Sequence, residues 1–215
     1  MGKVLVGLDR DDTINLNPDE DYGKQKNWKK ILRIHPTVIE GIKLLNENGC
    51  IIVVASNQSG VARGLFPFER QWQINTEIDK IFNQYGAKVH SWQYCPFYGR
   101  SYAKSKGLID EKNPWILDDD DPMLDLRKPA IGMLKKGVEE LGLALEDFYK
   151  CFFVGDNITD VQTGLNAGGV GILIDMEKNY SHVQLINQKD PRQKLVKTFD
   201  QAAKLIVSII QEDFE

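Results

Sequence analysis

Four short clusters of polar residues stand out in this 215-residue sequence because of where they fall. Residues 9–13, 56–60 and 155–160 each come directly after a short apolar run, and residues 127–129 come directly before a helical pattern. The clusters contain several aspartates, hydroxyl side chains and one lysine at position 128. If the fold brings them together, these groups could bind a phosphate and attack its phosphorus atom.

The first and last clusters predict a divalent-cation site. Asp9 and Asp156 offer the hard oxygen ligands that Mg²⁺ prefers, and water and a substrate phosphate would complete the shell. The cation would shield negative charge, so that the Asp9 carboxylate could approach phosphorus. Asp11 is then placed to act as a general acid, and Thr13 is suited to hydrogen-bond the turn that must follow Asp9.

Alternating strand and helix patterns predict the elements that would position these clusters. Short runs rich in β-branched and aromatic residues predict strands at residues 3–8, 50–55, 88–94, 151–154 and 170–174. Between and after them, apolar residues at helical spacing predict helices at residues 36–49, from 67 onward, and at 129–141, 158–166 and 198–211.

This order of elements predicts an α/β fold with a doubly wound parallel sheet and right-handed crossovers. Most of the predicted strands are almost continuously apolar, which is typical of parallel strands that are buried on both faces. Such sheets bind ligands beyond the carboxyl ends of their strands, where the polar clusters fall. We expect residues 1–215 to form a single domain.

Residues 96–127 have no clean periodicity and predict a long loop insertion. The segment contains glycines, prolines and an acidic tract at residues 118–121. We expect this tract to be a solvated loop, with cation binding as the alternative. The whole segment could act as a substrate lid.

Composition excludes several partner classes. The formal net charge of −4 provides no general attraction to nucleic acid or to an anionic membrane surface, so we expect neither partner. No apolar run approaches a membrane span, and the first residues do not match a secretory signal, so we expect a cytoplasmic protein. Three widely separated cysteines predict reduced thiols. Dimerisation has no signature in the sequence.

The four clusters together resemble the motifs of the haloacid dehalogenase superfamily. The run DRDDT at residues 9–13, Ser56 after the second strand, Lys128 before a helix and GDNITD at residues 155–160 match them in order and spacing. The resemblance spans residues 4–174 and implies a Rossmann-like phosphatase domain. The short intervals between motifs leave no room for a large cap domain.

The resemblance also implies roles for individual residues. Asp9 would be the nucleophile and Asp11 the general acid and base, while Asp156, Asp9 and the Asp11 backbone carbonyl would bind Mg²⁺. Asp160 would support that metal site. The candidate substrate- and phosphate-binding residues are Thr13, Ser56, Asn57, Arg63, Arg127 and Lys128.

A narrower resemblance links the chain to the branch that contains heptose-bisphosphate and histidinol-phosphate phosphatases. It rests on the runs LDRDDTIN, ASNQSGVARG, LRKPAIGML and FVGDNITDVQTG. In that branch the residue at Arg127 contacts substrate, and the further pocket candidates are Asn15, Tyr22, Gln58 and Ser59.

Many members of that branch bind a structural zinc through a CxH…CxC loop. This chain keeps Cys95 but has Phe97, Leu124 and Leu126 at the other three ligand positions. We therefore expect Mg²⁺ but no zinc, and the substrate within the small phosphorylated metabolites stays open.

Three alternatives remain at this level. The substrate could be histidinol phosphate or a nucleic-acid 3′-phosphate instead of a sugar phosphate. The chain could be a phosphoaspartate signalling domain, although the acidic pair of such a domain precedes its phosphorylated residue by a whole strand and helix. It could also be a binding protein that has no catalytic role. Asp156 and Asp160 could simply cap a helix, and Arg63 and Arg127 could form surface ion pairs.

Overall fold

The chain forms one six-stranded parallel sheet with helices on both of its faces. The computed structural model describes residues 2–17, 21–108, 112–175 and 180–213. The strand order is β3-β2-β1-β6-β7-β8, and β4 pairs with β5 in a separate two-stranded sheet. The strands are β1 (Lys3–Leu8), β2 (Cys50–Asn57), β3 (Ser91–Cys95), β4 (Tyr98–Gly99), β5 (Ile116–Leu117), β6 (Phe148–Gly155), β7 (Val170–Ile174) and β8 (Gln193–Val196).

The helices lie between the strands, as right-handed crossovers require. They are α1 (Trp28–Ile31), α2 (Val38–Glu47), α3 (Glu69–Gln84), α4 (Arg100–Ser105), α5 (Gly132–Glu139), α6 (Ile158–Asn166), α7 (Tyr180–Val183) and α8 (Phe199–Glu212), with 3₁₀ turns at Pro122–Leu126 and Leu145–Asp147. None of the helices within the described residues combines the length and the apolar character that a membrane span requires.

Two apolar layers sandwich the sheet. On one face, side chains of α2, α3 and α8 pack against alternate residues of β1, including Val6 and Leu8. On the other face, Leu5 of β1 and Phe153 of β6 pack against Leu134 of α5. Because successive strand residues point to opposite faces, this alternation fixes which way each side chain of β1 points up to the end of the strand.

The predicted α/β architecture is confirmed, and no large cap is present among the described residues. The predicted strands at residues 3–8 and 170–174 and the helix at 158–166 have the predicted bounds. β8 was not predicted from the sequence, because its residues QKLV are all half-buried and lack the apolar run of a central strand. Tertiary pairing with β7 makes this segment a strand.

The segment expected to be an irregular loop, residues 96–127, contains short regular elements. β4, α4, β5 and a 3₁₀ turn lie within it, and residues 109–111 lie outside the described part. Tyr98, Ala103 and Ile116 form a small apolar cluster with Ala62, from the loop that follows β2. This cluster holds the segment against the main domain.

The acidic tract at residues 118–121 stabilises this segment through its side chains. Asp118 accepts a bond from Arg100 Nε at 2.8 Å, and Asp119 accepts one from the backbone N–H of Ser101 at 3.0 Å. Asp121 caps the following 3₁₀ turn by accepting from the Met123 N–H at 2.8 Å. These carboxylates therefore have structural partners at the first turns of α4 and of the 3₁₀ helix.

The contact between α2 and α8 depends on Phe199, which is fully buried. A Cβ atom at Gly41 would lie 2.5 Å from the Phe199 ring, so the two helices approach closely at this point. We predict that Phe199→Ala lowers the free energy of unfolding by about 3–5 kcal/mol, because it leaves a cavity in the core. Denaturant unfolding measures this, and Lys204→Ala on the exposed face of α8 should change it by less than about 0.5 kcal/mol.

Candidate active site

The chain turns sharply immediately after β1, and this turn presents the first polar cluster. The Asp9 N–H still bonds to Val154 of β6 at 2.9 Å, which extends the sheet by one residue. The N–H groups of Ile14 and Asn15 then both bond to the Arg10 carbonyl, at 2.7 and 3.0 Å. Asp12 has a φ of +64°, a left-handed conformation that aspartate tolerates better than most residues.

Lys128 joins the first and last polar clusters. Its ammonium donates to Asp9 Oδ1 at 2.6 Å and to Asp160 Oδ1 at 2.7 Å, and the lysine is only 5% exposed. The Asn57 side chain holds the Lys128 backbone by two hydrogen bonds: its Oδ1 accepts from the Lys128 N–H at 3.0 Å, and its Nδ2 donates to the Lys128 carbonyl at 3.1 Å. Asn57, at the end of β2, therefore fixes where the lysine enters the site.

Asp160 is held by the first turn of α6. Its Oδ2 accepts from the Asn157 N–H at 2.9 Å, and the Asn157 side chain in turn accepts from the Thr159 N–H at 3.0 Å. This is the reciprocal capping arrangement that starts a helix. Gly155 allows it, because a Cβ there would lie 2.1 Å from Asp160 Oδ2.

Three carboxylates, from Asp9, Asp156 and Asp160, each bring an oxygen within 4.8 Å of the others. Burial raises the pKa of Asp9 to about 6, against the attraction of Lys128. Burial, reinforced by the charges of Asp9 and Asp160, raises the pKa of Asp156 to about 8. Although burial opposes it, the two carboxylates in contact with Lys128 raise the pKa of its ammonium.

A divalent cation fits this donor set. The cluster holds three carboxyl groups against one ammonium, so it carries uncompensated negative charge when all three are ionised. Asp160 already uses one oxygen for Lys128 and the other for a backbone N–H. Asp9 and Asp156 are therefore the carboxylates best placed to bind the cation, as the hard oxygen ligands of Mg²⁺.

Asp11 lies in a second hydrogen-bonded network beside this cluster. Arg10 contacts both of its oxygens, and the side-chain amides of Asn15 and Gln58 donate to them at 3.0 and 2.7 Å. The Gln58 amide also donates to Ser56 Oγ at 2.7 Å. The network thus connects the end of β1 with the end of β2.

These groups surround one cavity of about 640 Å³ at the carboxyl ends of the central strands. It is lined by Asp9, Asp11, Ser56, Asn57, Ser59, Gly99, Tyr102, Leu124, Arg127, Lys128, Pro129, Asp156, Asn157, Thr159 and Asp160. Most of the residues singled out from the sequence meet at this cavity. Gly99, Tyr102 and Leu124 form a wall contributed by the segment at residues 96–127.

Arg127 lies on the same wall, with its guanidinium over the Tyr98 ring at 4.5 Å from the ring centre. Its Nη1 donates to the Phe97 carbonyl at 3.2 Å. Two other predicted phosphate-binding residues do not line the cavity. Arg63 forms an ion pair with Asp21, and Thr13 is buried with no hydrogen-bond partner for its hydroxyl among the described residues.

The four further pocket candidates named from the narrower resemblance occupy different places in the structure. Ser59 lines the cavity and Gln58 bonds to Asp11, while the Asn15 amide donates to the Asp11 carboxylate and to the Leu16 carbonyl. Tyr22 is buried, and its hydroxyl donates to the Trp28 carbonyl at 2.6 Å.

The hydrogen bonds from Arg10 to Gln71 and Asn75 of α3 were not predicted from the sequence. The two amide side chains lie four residues apart on the buried face of α3, and this spacing could have indicated a buried polar partner.

The sequence profile of the polynucleotide kinase 3 phosphatase family matches residues 4–183 of the chain. A D-glycero-β-D-manno-heptose-1,7-bisphosphate 7-phosphatase of Mesorhizobium japonicum is 32% identical over 79% of this chain and 69% of its own length. The enzyme of that name from Pseudomonas aeruginosa is 28% identical over 98% of this chain and all of its own.

Solved structures show the same fold. A D,D-heptose 1,7-bisphosphate phosphatase from B. bronchiseptica, complexed with magnesium and phosphate, superposes with a TM-score of 0.69 at 22% identity and covers 95% of this chain and 98% of its own. A HAD-like phosphatase from Mesorhizobium loti superposes with a TM-score of 0.62 at 29% identity, over 80% of this chain and 73% of its own.

The raised carboxyl pKa values predict how the stability of the chelator-treated protein depends on pH. Asp9 and Asp156 bind protons more tightly in the folded chain than in the unfolded one, so protonation stabilises the fold. This contribution is complete below the ordinary aspartate value of 3.8 and is lost as pH rises through about 6 and 8. We therefore expect the Tm to fall by several degrees between pH 5 and 9, and Mg²⁺ to restore it more at pH 8 than at pH 5.

Differential scanning fluorimetry measures this effect, with Asp156→Asn as the test variant and Asp120→Asn, at an exposed position, as the matched control. Asp156→Asn should flatten the pH profile and weaken the response to Mg²⁺, whereas Asp120→Asn should behave like the wild type. Parallel pH profiles for the wild type and Asp156→Asn would contradict the assignment.

Proposed function

This chain is a phosphatase that belongs to the polynucleotide kinase 3 phosphatase family of the haloacid-dehalogenase type, and from that premise we propose a reaction and a substrate class. The reaction is the Mg²⁺-dependent hydrolysis of a phosphomonoester through an aspartyl-phosphate at Asp9. The substrate is a small phosphorylated sugar, in particular a sugar bisphosphate.

The contact between Asp9 and Lys128 is the observation that carries the proposed reaction. A buried carboxylate, paired with an ammonium and lying beside a second acidic group, lines an open cavity at the switch region of a parallel sheet. An ammonium at this point can bind a phosphoryl oxygen while the carboxylate faces phosphorus. The Ser56 hydroxyl lines the same cavity and supports a second contact to the phosphoryl oxygens.

In the proposed reaction an Asp9 oxygen forms a bond to phosphorus while the bond from phosphorus to the leaving oxygen breaks. Asp11 gives its proton to that oxygen. Asp11 then takes a proton from water, whose oxygen attacks phosphorus and releases inorganic phosphate and the Asp9 carboxylate. Bound Mg²⁺, held by Asp9 and Asp156, would supply charge shielding between the carboxylates and the phosphate.

The relatives that act on heptose bisphosphates and the position of Arg127 support the substrate class. Arg127 lines the cavity, and its guanidinium contacts the Tyr98 ring and the Phe97 carbonyl and forms none of the hydrogen bonds to Asp9, Asp156 or Asp160 described above. A guanidinium so placed is suited to a second phosphate on the leaving group.

We predict that purified protein releases phosphate from a sugar bisphosphate only when Mg²⁺ is present. Asp9→Asn should abolish turnover, because the nucleophilic oxygen is lost, while the variant keeps the fold. Phosphate release by wild type and variant, with Mg²⁺ and with chelator, measures this. Activity in the Asp9→Asn variant would exclude the aspartyl-phosphate route.

The substrate panel should include sugar monophosphates, histidinol phosphate and a 3′-phosphorylated oligonucleotide. Preferential hydrolysis of the oligonucleotide would replace the sugar bisphosphate as the proposed substrate.

A matched pair of arginine variants tests the second phosphate site. Arg127→Met should raise KM for a sugar bisphosphate by about 10- to 100-fold, because a charge-assisted hydrogen bond is worth about 1.5–3 kcal/mol, and should leave KM for the monophosphate nearly unchanged. Arg63→Met removes an arginine that pairs with Asp21 outside the cavity, and it should change neither value. Equal effects of Arg127→Met on both substrates would contradict this site.

A further inference from the structure

Arg10 is a fully buried arginine between the two aspartates of the first cluster. Its Nε and Nη2 donate to both carboxylate oxygens of Asp11, at distances between 2.9 and 3.2 Å. Its Nη1 reaches α3, where it donates to the side-chain oxygens of Gln71 and Asn75, the latter at 3.1 Å. The guanidinium therefore has charged or polar partners on two sides.

The direction of the Arg10 side chain follows from the sheet. Leu8 packs on the face covered by α2, α3 and α8, while Asp9 meets Lys128 on the α5 side. The next residue returns to the face of Leu8, which brings Arg10 to α3. Gln71 and Asn75 are both buried, with exposed fractions of 0% and 5%.

A guanidinium out of contact with water needs its partners, because burying an unpaired charge is costly. The two α3 amides are neutral, so the charge of Arg10 is compensated by the Asp11 carboxylate. The planar fork of arginine fixes both the position and the plane of a carboxylate that it contacts through two oxygens. Asn15 and Gln58 each add only one bond to Asp11.

We propose that Arg10, anchored on α3 by Gln71 and Asn75, is a positioning residue that holds the Asp11 carboxyl group in line with the leaving oxygen. This inference rests on the proposed function, because it assigns Arg10 to the proton-transfer step. The Gln58 amide bonds to both Asp11 and Ser56, and it links the carboxyl group held by Arg10 to the Ser56 hydroxyl.

The step that Arg10 supports can be isolated by choice of substrate. The leaving group of an aryl phosphate with an acidic phenol departs without a proton. The leaving oxygen of an alkyl phosphate needs a proton from the general acid. In the first turnover, we expect Arg10→Met to slow release from the alkyl phosphate by about 100-fold. Release of nitrophenol from p-nitrophenyl phosphate should stay within a few-fold of wild type, and KM should change little for either substrate.

A double-mutant cycle separates positioning from a structural effect. Asp11→Asn alone should slow the alkyl phosphate reaction by about 100-fold or more. If Arg10 acts through Asp11, adding Arg10→Met to Asp11→Asn should cause no further loss of rate. A merely structural role would instead add its loss to that of Asp11→Asn and would slow both substrates.

Two variants on α3 provide a test that leaves Arg10 in place. Gln71→Leu removes an anchor that touches Arg10 and has no bond to Asp11, and it should reproduce the selective loss on alkyl phosphate in weaker form. Gln73→Leu makes the same substitution at an exposed position of the helix and should leave both rates unchanged. If Arg10→Met does not fold, Gln71→Leu takes its place in the cycle with Asp11→Asn.

The possible results distinguish failure of the proposed function from failure of the positioning role of Arg10. A wild-type protein with no phosphate release from any substrate would refute the proposed function itself. An active wild type in which Arg10→Met or Gln71→Leu slows both substrates equally, or adds fully to Asp11→Asn, would overturn the positioning role. Selective loss on alkyl phosphate, together with non-additivity, would support it.

Discussion

The ammonium of Lys128 lies buried between the carboxylates of Asp9 and Asp160, and it joins the residue that follows β1 to a position 119 residues further along the chain, just before α5. A charge removed from water stays ionised only when oppositely charged partners are held close to it. The residues around Lys128 hold those partners in place. Asn57 fixes the lysine backbone, and Gly155 leaves the room that the Asp160 carboxylate needs. The remaining negative charge suits the cluster to a divalent cation.

The same strand serves two networks, because its side chains alternate between the faces of the sheet. Asp9 meets Lys128 on one side, and Arg10 reaches the amides of α3 on the other. The turn that follows brings Asp11 back to the cavity while it remains bonded to Arg10. Asp9 and Asp11, the proposed nucleophile and acid, are thus held from opposite faces of the sheet, so the packing of α3 matters to a site that it does not line.

The segment at residues 96–127 is where this chain departs most from the zinc-binding pattern that its sequence resembles. Its acidic tract caps α4 and a 3₁₀ turn, and its small apolar cluster packs on the main domain. Together these contacts build the wall that carries Tyr102 and Arg127. Substrate selection is therefore expected to depend on this wall, while the chemistry belongs to the sheet.

The α/β class, the central strands and most of the polar residues that line the cavity could be predicted from the sequence, because buried parallel strands need apolar runs and their carboxyl ends share one edge. The sequence did not predict β8, which depends on pairing with β7. It also did not predict that Arg63 forms an ion pair with Asp21 while Arg127 lines the cavity. Nor did it place Arg10 against α3. Which partner a long polar side chain reaches depends on distances across the fold, and local periodicity does not encode those distances.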